Sequence, residues 1–206
     1  MQALSREFYL RGAETVAKEL LGKHLVWRNG KQELILRITE TEAYLGISDP
    51  ACHSYGNRRT SRTEVMYGLG GHSYIYLIYG MYNMLNAVTG EAVDPCAVLI
   101  RGGEPVEGTD AMSRNRFGVP WGELSGTQRR SLCDGPGKIC KAMGLSRAHN
   151  GLDLTGSELF ICAGGEIAPY QIEMGPRIGV DYAGEAAKWA LNFKLYTCFT
   201  SKMSHF

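Results

Sequence analysis

Two glutamates, two residues apart, stand at the end of a long apolar and β-prone run. Side chains alternate between the two faces of a strand, so in a strand over residues 34–44 every second side chain should lie on the same face. Two carboxylates on the extension of a core-facing stripe are unfavourable unless they are paired, hydrogen-bonded or functional. Two interpretations therefore stay open: a strand end that reaches solvent or pairs with an arginine, and a general acid or base beside an aromatic surface. The stripe that alternation predicts comprises Leu34, Leu36 and Ile38, then Glu40, Glu42 and Tyr44.

A second group of residues with chemical potential is a cluster of tyrosines. Tyr74, Tyr76, Tyr79 and Tyr82 fall within one short β-prone segment. On a continuous strand Tyr76 and Tyr79 face opposite ways, although Gly80 permits a bulge or bend. Tyrosines in strands often cover the edge of a core. Exposed, they suit the stacking of nucleobases, and an aromatic or methionine side chain at a tip suits insertion into a duplex.

Basic residues are concentrated in two segments of a nearly neutral chain. The 206 residues carry a formal net charge of +1. Residues 54–66 hold three arginines against Glu64, and residues 112–147 hold seven basic residues against Glu123 and Asp134. Such an excess usually marks a solvated face, but beside tyrosines it is also a candidate surface for phosphate groups. Gly135-Pro136-Gly137-Lys138, ahead of a predicted helix, could present backbone N–H groups and a lysine to a phosphate.

The composition excludes several other classes of protein. Hydrophobic residues make up 44% of the chain and charged residues 21%, as in globular domains. There is no apolar run of about eighteen residues and no signal-peptide pattern at the N-terminus, which predicts a cytoplasmic protein without a membrane span. The six cysteines form no CxxC pair and the five histidines have no metal-ligand spacing. We therefore expect no metal and no cofactor.

Hydrophobic periodicity and turn residues predict one α+β domain spanning residues 1–206, with a curved, mostly antiparallel sheet and flanking helices. Asn29-Gly30 predicts a hairpin turn, Gly46 to Gly71 a polar loop, and Gly102-Gly103 a turn after a short strand. The predicted helices are 13–21, 109–115 and 138–143, and the predicted strands are 24–27, 34–44, 73–79, 97–100, 159–163 and 193–199.

Several blocks of the sequence, in order along nearly the whole chain, resemble the alkyladenine (3-methyladenine) DNA glycosylase family. The most specific are Thr39-Glu40-Thr41-Glu42-Ala43-Tyr44-Leu45-Gly46, His53-Ser54 and Tyr76-Leu77-Ile78-Tyr79-Gly80-Met81-Tyr82. Residues 98–101, 104–108, 135–138 and 177–180 agree as well. One departure is Ser61-Arg62-Thr63-Glu64, where the family often reads Thr-x-Arg-Asn. The departure affects contacts made by this loop rather than the chemistry.

The resemblance implies a role for individual residues. Glu42 is the counterpart of the general base that activates water against C1′ of the sugar, and Arg101 of the residue that helps to hold that water. Further implied roles are stacking walls for a flipped base at Tyr44, His53 and Tyr76, insertion into the duplex by Tyr79, and discrimination at the purine 2-position by Asn86. Lys138 is a candidate contact to the DNA backbone.

The implied activity is that of a monofunctional DNA glycosylase acting on alkylated or deaminated purines in double-stranded DNA. No lysine lies in the acidic or tyrosine blocks to form a Schiff base. We expect a monomer, nucleoid-associated if bacterial. Which damaged purines are preferred stays open: 3-methyladenine, 7-methylguanine, hypoxanthine and ethenoadenine are all candidates.

Three rival classes of protein fit the sequence less well. A zinc deaminase needs HxE and PCxxC, but His53 is followed by Ser54-Tyr55, and Pro95-Cys96 lacks the second cysteine. A sugar-processing glycosidase prefers carboxylates on opposite sides of the scissile bond, and two nearby acids on one strand face serve that reaction poorly. A non-catalytic nucleic-acid-binding module would explain the arginines and tyrosines but leaves the inward-facing glutamates without a purpose.

Overall fold

An antiparallel sheet of eight strands organises the molecule in the computed structural model, which describes residues 1–30 and 32–196. The strands run in the order β3-β4-β5-β2-β1-β6, and β8 joins β7 to β2. All pairings between these strands are antiparallel. The strands are β1 (His24–Asn29), β2 (Gln32–Tyr44), β3 (Ser73–Ile78), β4 (Tyr82–Thr89), β5 (Cys96–Glu107), β6 (Leu159–Cys162), β7 (Ile172–Gly175) and β8 (Asn192–Leu195).

Helices cover one face of this curled sheet, and the main core lies between them and the strands. Helix α2 contributes its buried residues Val16, Ala17 and Leu20 to that core, which explains the helical spacing of its apolar residues. Helix α5 begins with Pro136, whose fixed φ suits the first turn, and it buries Ile139 and Met143. The α-helices are α1 (Arg6–Tyr9), α2 (Ala13–Leu20), α3 (Thr109–Phe117), α4 (Gly126–Arg130) and α5 (Pro136–Met143).

A bulge in β2 overturns the simple alternation predicted for its carboxylates. Leu34, Leu36 and Ile38 belong to the main core, but the next side chains on that face are Thr41 and Ala43. The pairing of β2 with β5 shifts register on both sides of Glu40. One extra residue reverses the parity of the strand, because two residues then oppose one on the partner. Glu40, Glu42 and Tyr44 therefore lie on the opposite face, away from the apolar stripe.

The glycine pair Gly102-Gly103 was wrongly predicted to form a turn. Both glycines lie inside β5, paired with Glu40 and Ile38 at the bulge. A Cβ at Gly103 would come within 2.6 Å of the Leu36 side chain, and one at Gly102 within 3.0 Å of the Glu40 Cβ. Glycine here permits the close approach of side chains from the bulged strand, so β5 continues to Glu107.

The tyrosine segment forms a hairpin whose tip is Tyr79. β3 ends at Ile78, and β4, which periodicity did not predict, begins at Tyr82. Tyr79 and Gly80 have φ values of 52° and 69°, and the Met81 N–H donates to the Ile78 carbonyl. Positive φ at both central residues is typical of tight hairpin turns. Tyr79 thus stands at a turn, not on the predicted strand.

Most other predictions of elements are confirmed to within a few residues. These include α2, the β1–β2 hairpin, α3, α5 and β6. The predicted loop 46–71 contains three short 3-10 turns and several buried side chains. The strand predicted for 193–199 is found as Asn192–Leu195, and residues 197–199 lie outside the described residues. The predicted α+β class with a curved, antiparallel sheet is confirmed.

Within the described residues, no helix has the length and apolarity that crossing a membrane requires.

Candidate active site

A row of five residues crosses the sheet on the face opposite the main core. Glu42 pairs with Asn192 of β8 on one side and with Leu99 of β5 on the other. Leu99 in turn pairs with Asn86 of β4, and Asn86 pairs with Tyr74 of β3. Four of its members, Glu42, Leu99, Asn86 and Tyr74, line a cavity, and we call the whole row, with Asn192 at its end, the cavity floor. Strand pairing alone therefore brings together residues more than a hundred positions apart in the sequence.

The Glu42 carboxylate is fully buried and hydrogen-bonded on both oxygens. Its Oε1 accepts from the backbone N–H of Ile178 at 2.9 Å and from Asn192 Nδ2 at 3.1 Å. Its Oε2 accepts from the Tyr44 hydroxyl at 2.9 Å. Hydrogen-bond donors of this kind take the place of the water molecules that would otherwise stabilise a carboxylate.

Glu40 and Arg101 lie directly beside Glu42. Arg101 Nε is 3.0 Å from Glu40 Oε1 and 3.3 Å from Glu42 Oε1. Asn192 Nδ2 donates to the same oxygen of Glu40 at 2.9 Å. One guanidinium and one amide thus bridge the two carboxylates, and Arg101 offsets part of their combined charge.

A buried ion pair supports the Tyr44 side of the cavity. The Arg177 guanidinium and the Asp49 carboxylate have no exposed surface, and Arg177 Nη2 donates to Asp49 Oδ1 at 2.8 Å. Arg177 also donates to the carbonyl of Ala43 and lies 4.9 Å from the centre of the Tyr44 ring. The guanidinium therefore covers one face of Tyr44 and fixes the ring in place.

His53 and Tyr76 form a second aromatic wall. Their ring centres are 4.6 Å apart in an edge-to-face arrangement. Arg62 Nη2 lies 2.9 Å from His53 Nε2, and His53 Nδ1 lies 2.9 Å from the Tyr74 hydroxyl. An arginine can only donate, so Nε2 accepts and neutral His53 carries its proton on Nδ1. Burial, and then the charges of Arg62 and Arg58, lower the pKa of His53 to about 4.

Asn86 is buried in the cavity floor with its orientation fixed by the backbone. Its Nδ2 donates to the carbonyl of Tyr74 at 3.1 Å and to that of Met84 at 3.4 Å. A side chain held in this way has little freedom to adapt to different groups. Asn86 therefore lines the cavity in a fixed orientation.

The floor and the two aromatic walls enclose one cavity of about 330 Å³, within the usual size range of small-molecule sites. Of the residues that the sequence singled out, it brings together Glu42, Arg101, Tyr44, His53, Tyr76, Asn86 and Tyr79. The cavity rim, which we define as Tyr79, Gly80 and Met81 at the hairpin tip, is highly exposed: Tyr79 has 83% of its surface accessible.

Lys138 is the predicted site residue that lies outside this cavity lining. It is in the first turn of α5, and its Nζ is 2.7 Å from Asp134 in an exposed ion pair. Pro136 of the same turn does line the cavity, so Lys138 lies close to the site. Among residues 1–30 and 32–196, no cluster of three or more histidine, cysteine or acidic side chains is arranged to hold a metal ion.

Three contributors to the site had no local signal in the sequence. Asn192 stands in a short strand about 150 positions from Glu42, and Asp49 lies in a segment predicted to be a polar loop. Tyr182 lines the cavity from the segment after Arg177. The pairing of β8 with β2 identifies Asn192, the buried ion pair identifies Asp49, and the cavity lining identifies Tyr182.

The sequence is similar to proteins of one family. The family model of methylpurine-DNA glycosylase matches residues 7–197. A protein of Clostridium novyi is 47% identical over 94% of each chain, and one of Desulfitobacterium hafniense is 46% identical over 95% of this chain and 96% of its own. A protein of Methanocella arvoryzae is 44% identical over 98% of both chains. All three are named provisionally as 3-methyladenine DNA glycosylases.

The chain thus joins a curled antiparallel sheet and a buried carboxylate in an aromatic cavity to a sequence similar to that of DNA glycosylases. The chain belongs to the methylpurine-DNA glycosylase family. It is a DNA repair enzyme, a DNA glycosylase that hydrolyses N-glycosyl compounds, and DNA is its substrate.

Proposed function

We propose that the enzyme flips alkylated or deaminated purines into this cavity and hydrolyses their N-glycosidic bond with water activated by Glu42. The observation that carries the proposal is the ionisable carboxylate of Glu42, buried in the cavity floor and held by donors on both oxygens. A general base must be ionised and fixed in place to take a proton from water.

The proposed reaction is a single displacement at the sugar. An O–H bond of the water breaks, its proton passes to Glu42, and the oxygen bonds to C1′. The bond from C1′ to the purine nitrogen breaks, and its electron pair leaves with the base. Alkylation that places positive charge on the purine makes it a better leaving group. Arg101, next to both glutamates, orients the water.

The walls and rim suit the remaining steps. We propose that the flipped base lies against Tyr44, His53 and Tyr76, because cationic purines are attracted to aromatic faces. Tyr79 would fill the gap left in the duplex. Asn86 would reject undamaged guanine by obstructing its exocyclic amino group. Lys138 would contact a backbone phosphate.

The reaction as proposed is monofunctional and needs one copy of the chain. No lysine lines the cavity in the part of the chain that the structure describes, so the wall offers no amine for a Schiff base. The proposed base, its arginine neighbour and the aromatic walls are complete within one copy of the chain. We therefore propose that a monomer completes the reaction.

The proposal is tested with a panel of duplexes, each holding one defined base: 3-methyladenine, 7-methylguanine, ethenoadenine, hypoxanthine or undamaged guanine. Single-turnover incubation followed by alkali should cleave the strand at the alkylated purines and at hypoxanthine, and leave guanine intact. The Asn86→Ser variant should gain release of guanine. Strand cleavage before alkali would contradict the monofunctional reaction, and an intact hypoxanthine duplex would exclude deaminated purines.

A further inference from the structure

The two oxygens of the Glu42 carboxylate differ in how many donors they hold. Oε1 has two hydrogen-bond donors, the Ile178 N–H at 2.9 Å and Asn192 Nδ2 at 3.1 Å, and it also lies 3.3 Å from Arg101 Nε in an ion pair. Oε2 has one donor within hydrogen-bond distance among the described residues, the Tyr44 hydroxyl. A carboxylate offers about four acceptor positions, two on each oxygen. The unfilled position is therefore on Oε2.

From this asymmetry we infer that Oε2 of Glu42 receives the proton of the attacking water, and that the Tyr44 hydroxyl is a positioning group for that oxygen. The inference rests on the proposed role of Glu42 as the base. It gives Tyr44 two separable functions. Its ring is a wall for the base, whereas its hydroxyl acts through Glu42.

The surroundings of Tyr44 keep its hydroxyl protonated and in place, so that it can donate a hydrogen bond to Glu42. Burial, and then the neighbouring Glu42 carboxylate, raise the pKa of Tyr44 well above its usual value, so the hydroxyl keeps its proton. Arg177 holds the ring from one face, with Asp49 fixing Arg177. Glu42 and Tyr44 both line the cavity, and we propose that the water meets Oε2 there, beside the Tyr44 hydroxyl.

Removal of the hydroxyl alone has a predictable effect on the pH dependence of the reaction. A hydrogen bond donated to a carboxylate stabilises its ionised form. Without it, a smaller share of the enzyme is active at low pH, and the acid limb of the rate profile moves upward. The charged and titratable groups facing the carboxylate are Glu40, Arg101, Arg177 with Asp49, and Tyr76. These are the same in the variant, so the difference reports the hydroxyl.

The experiment compares Tyr44→Phe with Tyr67→Phe on a duplex containing ethenoadenine. Tyr67 is a buried tyrosine outside the cavity lining, and its hydroxyl has no partner in the described residues, so it is a matched control. Single-turnover rates are measured from pH 4.5 to 8, and the Kd is measured with a non-cleavable lesion analogue. For Tyr44→Phe we expect a Kd within about twofold of wild type and an acid limb about one pH unit higher, with a tenfold lower rate on that limb. Tyr67→Phe should match wild type.

A second substitution keeps the inference testable if Tyr44→Phe folds poorly. Incorporation of 3-fluorotyrosine at position 44 keeps the ring and makes the hydroxyl a stronger donor, which should move the acid limb downward. An unchanged acid limb in a folded Tyr44→Phe enzyme, or an increased rate, would overturn the inference. Glu42→Gln separates the two levels: if it is inactive while Tyr44→Phe behaves as wild type, only the role of the hydroxyl is wrong.

Discussion

The cavity floor and the cavity rim are built in opposite ways. The floor is a row of side chains on five paired strands, and its carboxylate is fully buried among donors. The rim is a hairpin tip on which Tyr79 is 83% exposed and has a positive φ that non-glycine residues rarely adopt. Regular strands position groups more accurately than exposed turns do. The contrast is consistent with the proposed chemistry at the floor and the proposed DNA contact at the rim.

The floor and the rim should therefore respond differently to substitution. Substitutions of the buried groups that support the cavity should lower the free energy of unfolding, because they leave other buried polar groups unpaired. Changes at the rim should leave stability intact, or raise it, and affect only the handling of DNA.

The largest effect is expected for Asp49→Ala, which leaves Arg177 buried without its partner. Loss of one member of a buried ion pair costs about 3–5 kcal/mol of the free energy of unfolding. The matched control is Glu185→Ala, which removes the partner of Lys188 in an exposed pair and should cost about 0–1 kcal/mol. Urea denaturation of both variants measures the difference. Similar, small losses in the two would contradict the supporting role of the buried pair.

A smaller effect concerns pH and His53, whose pKa is lowered to about 4 in the folded enzyme. The unfolded chain binds this proton near pH 6.5, so stability is complete above that pH and declines as the pH falls toward 4. The expected loss is about 2–3 kcal/mol between pH 7 and pH 4. His53→Gln should lack this part of the acid sensitivity. Denaturation curves at several pH values compare the two proteins, and parallel curves would show that His53 is not the group responsible.

At the rim, Tyr79→Gly should raise stability and impair function at once. Relief of the positive φ is worth about 1 kcal/mol, after allowance for the entropy of glycine. Flipping, followed with a fluorescent base analogue, should decline because the inserting side chain is gone. Val93→Gly is the control, since Val93 is exposed with a φ of 69° and lies outside the cavity lining. It should be stabilised without a change in flipping. Normal flipping by Tyr79→Gly would remove Tyr79 from the insertion step.

The smallest effect is expected for Lys138→Ala. Loss of one phosphate contact should lower the slope of log K against log salt concentration by about 0.9 and weaken binding equally for damaged and undamaged duplexes. Lys18→Ala is matched to it, because Lys18 also forms an ion pair with a residue four positions away, but on α2, which packs on the core face. A slope unaltered by Lys138→Ala, or altered as much by Lys18→Ala, would contradict a phosphate contact at Lys138.

The sequence predicted local elements well because their signals are local. The spacing of Val16, Ala17 and Leu20 and the Asn29-Gly30 turn each depend on neighbouring residues only. The bulge at Glu40 had no such signal, because it depends on how β5 pairs with β2. Gly102-Gly103 was misinterpreted for the same reason, since a glycine that admits a neighbouring strand has the same local sequence as one that makes a turn.

The residues of the site also divide into those that the sequence identified and those that only the fold brings together. Family resemblance identified Glu42, Tyr44 and His53, which the fold does bring to one cavity. It did not identify Asn192 or the Asp49–Arg177 pair, whose contacts join distant parts of the chain. Alternation alone could not separate Glu40 from Glu42. In the structure only Glu42 lines the cavity and has a carboxylate without exposed surface.

The most direct test of the central claim compares Glu42→Gln with Glu40→Gln in single-turnover cleavage of a lesion duplex, with binding measured separately. Glutamine keeps nearly the same shape as glutamate but cannot take a proton from water. We predict that Glu42→Gln binds the lesion as wild type does and loses cleavage by about a hundredfold or more. Glu40→Gln should keep a measurable rate, because Glu40 orients Arg101 and Asn192 without accepting the proton. An active Glu42→Gln enzyme beside an inactive Glu40→Gln enzyme would show that Glu40 is the base and contradict the account.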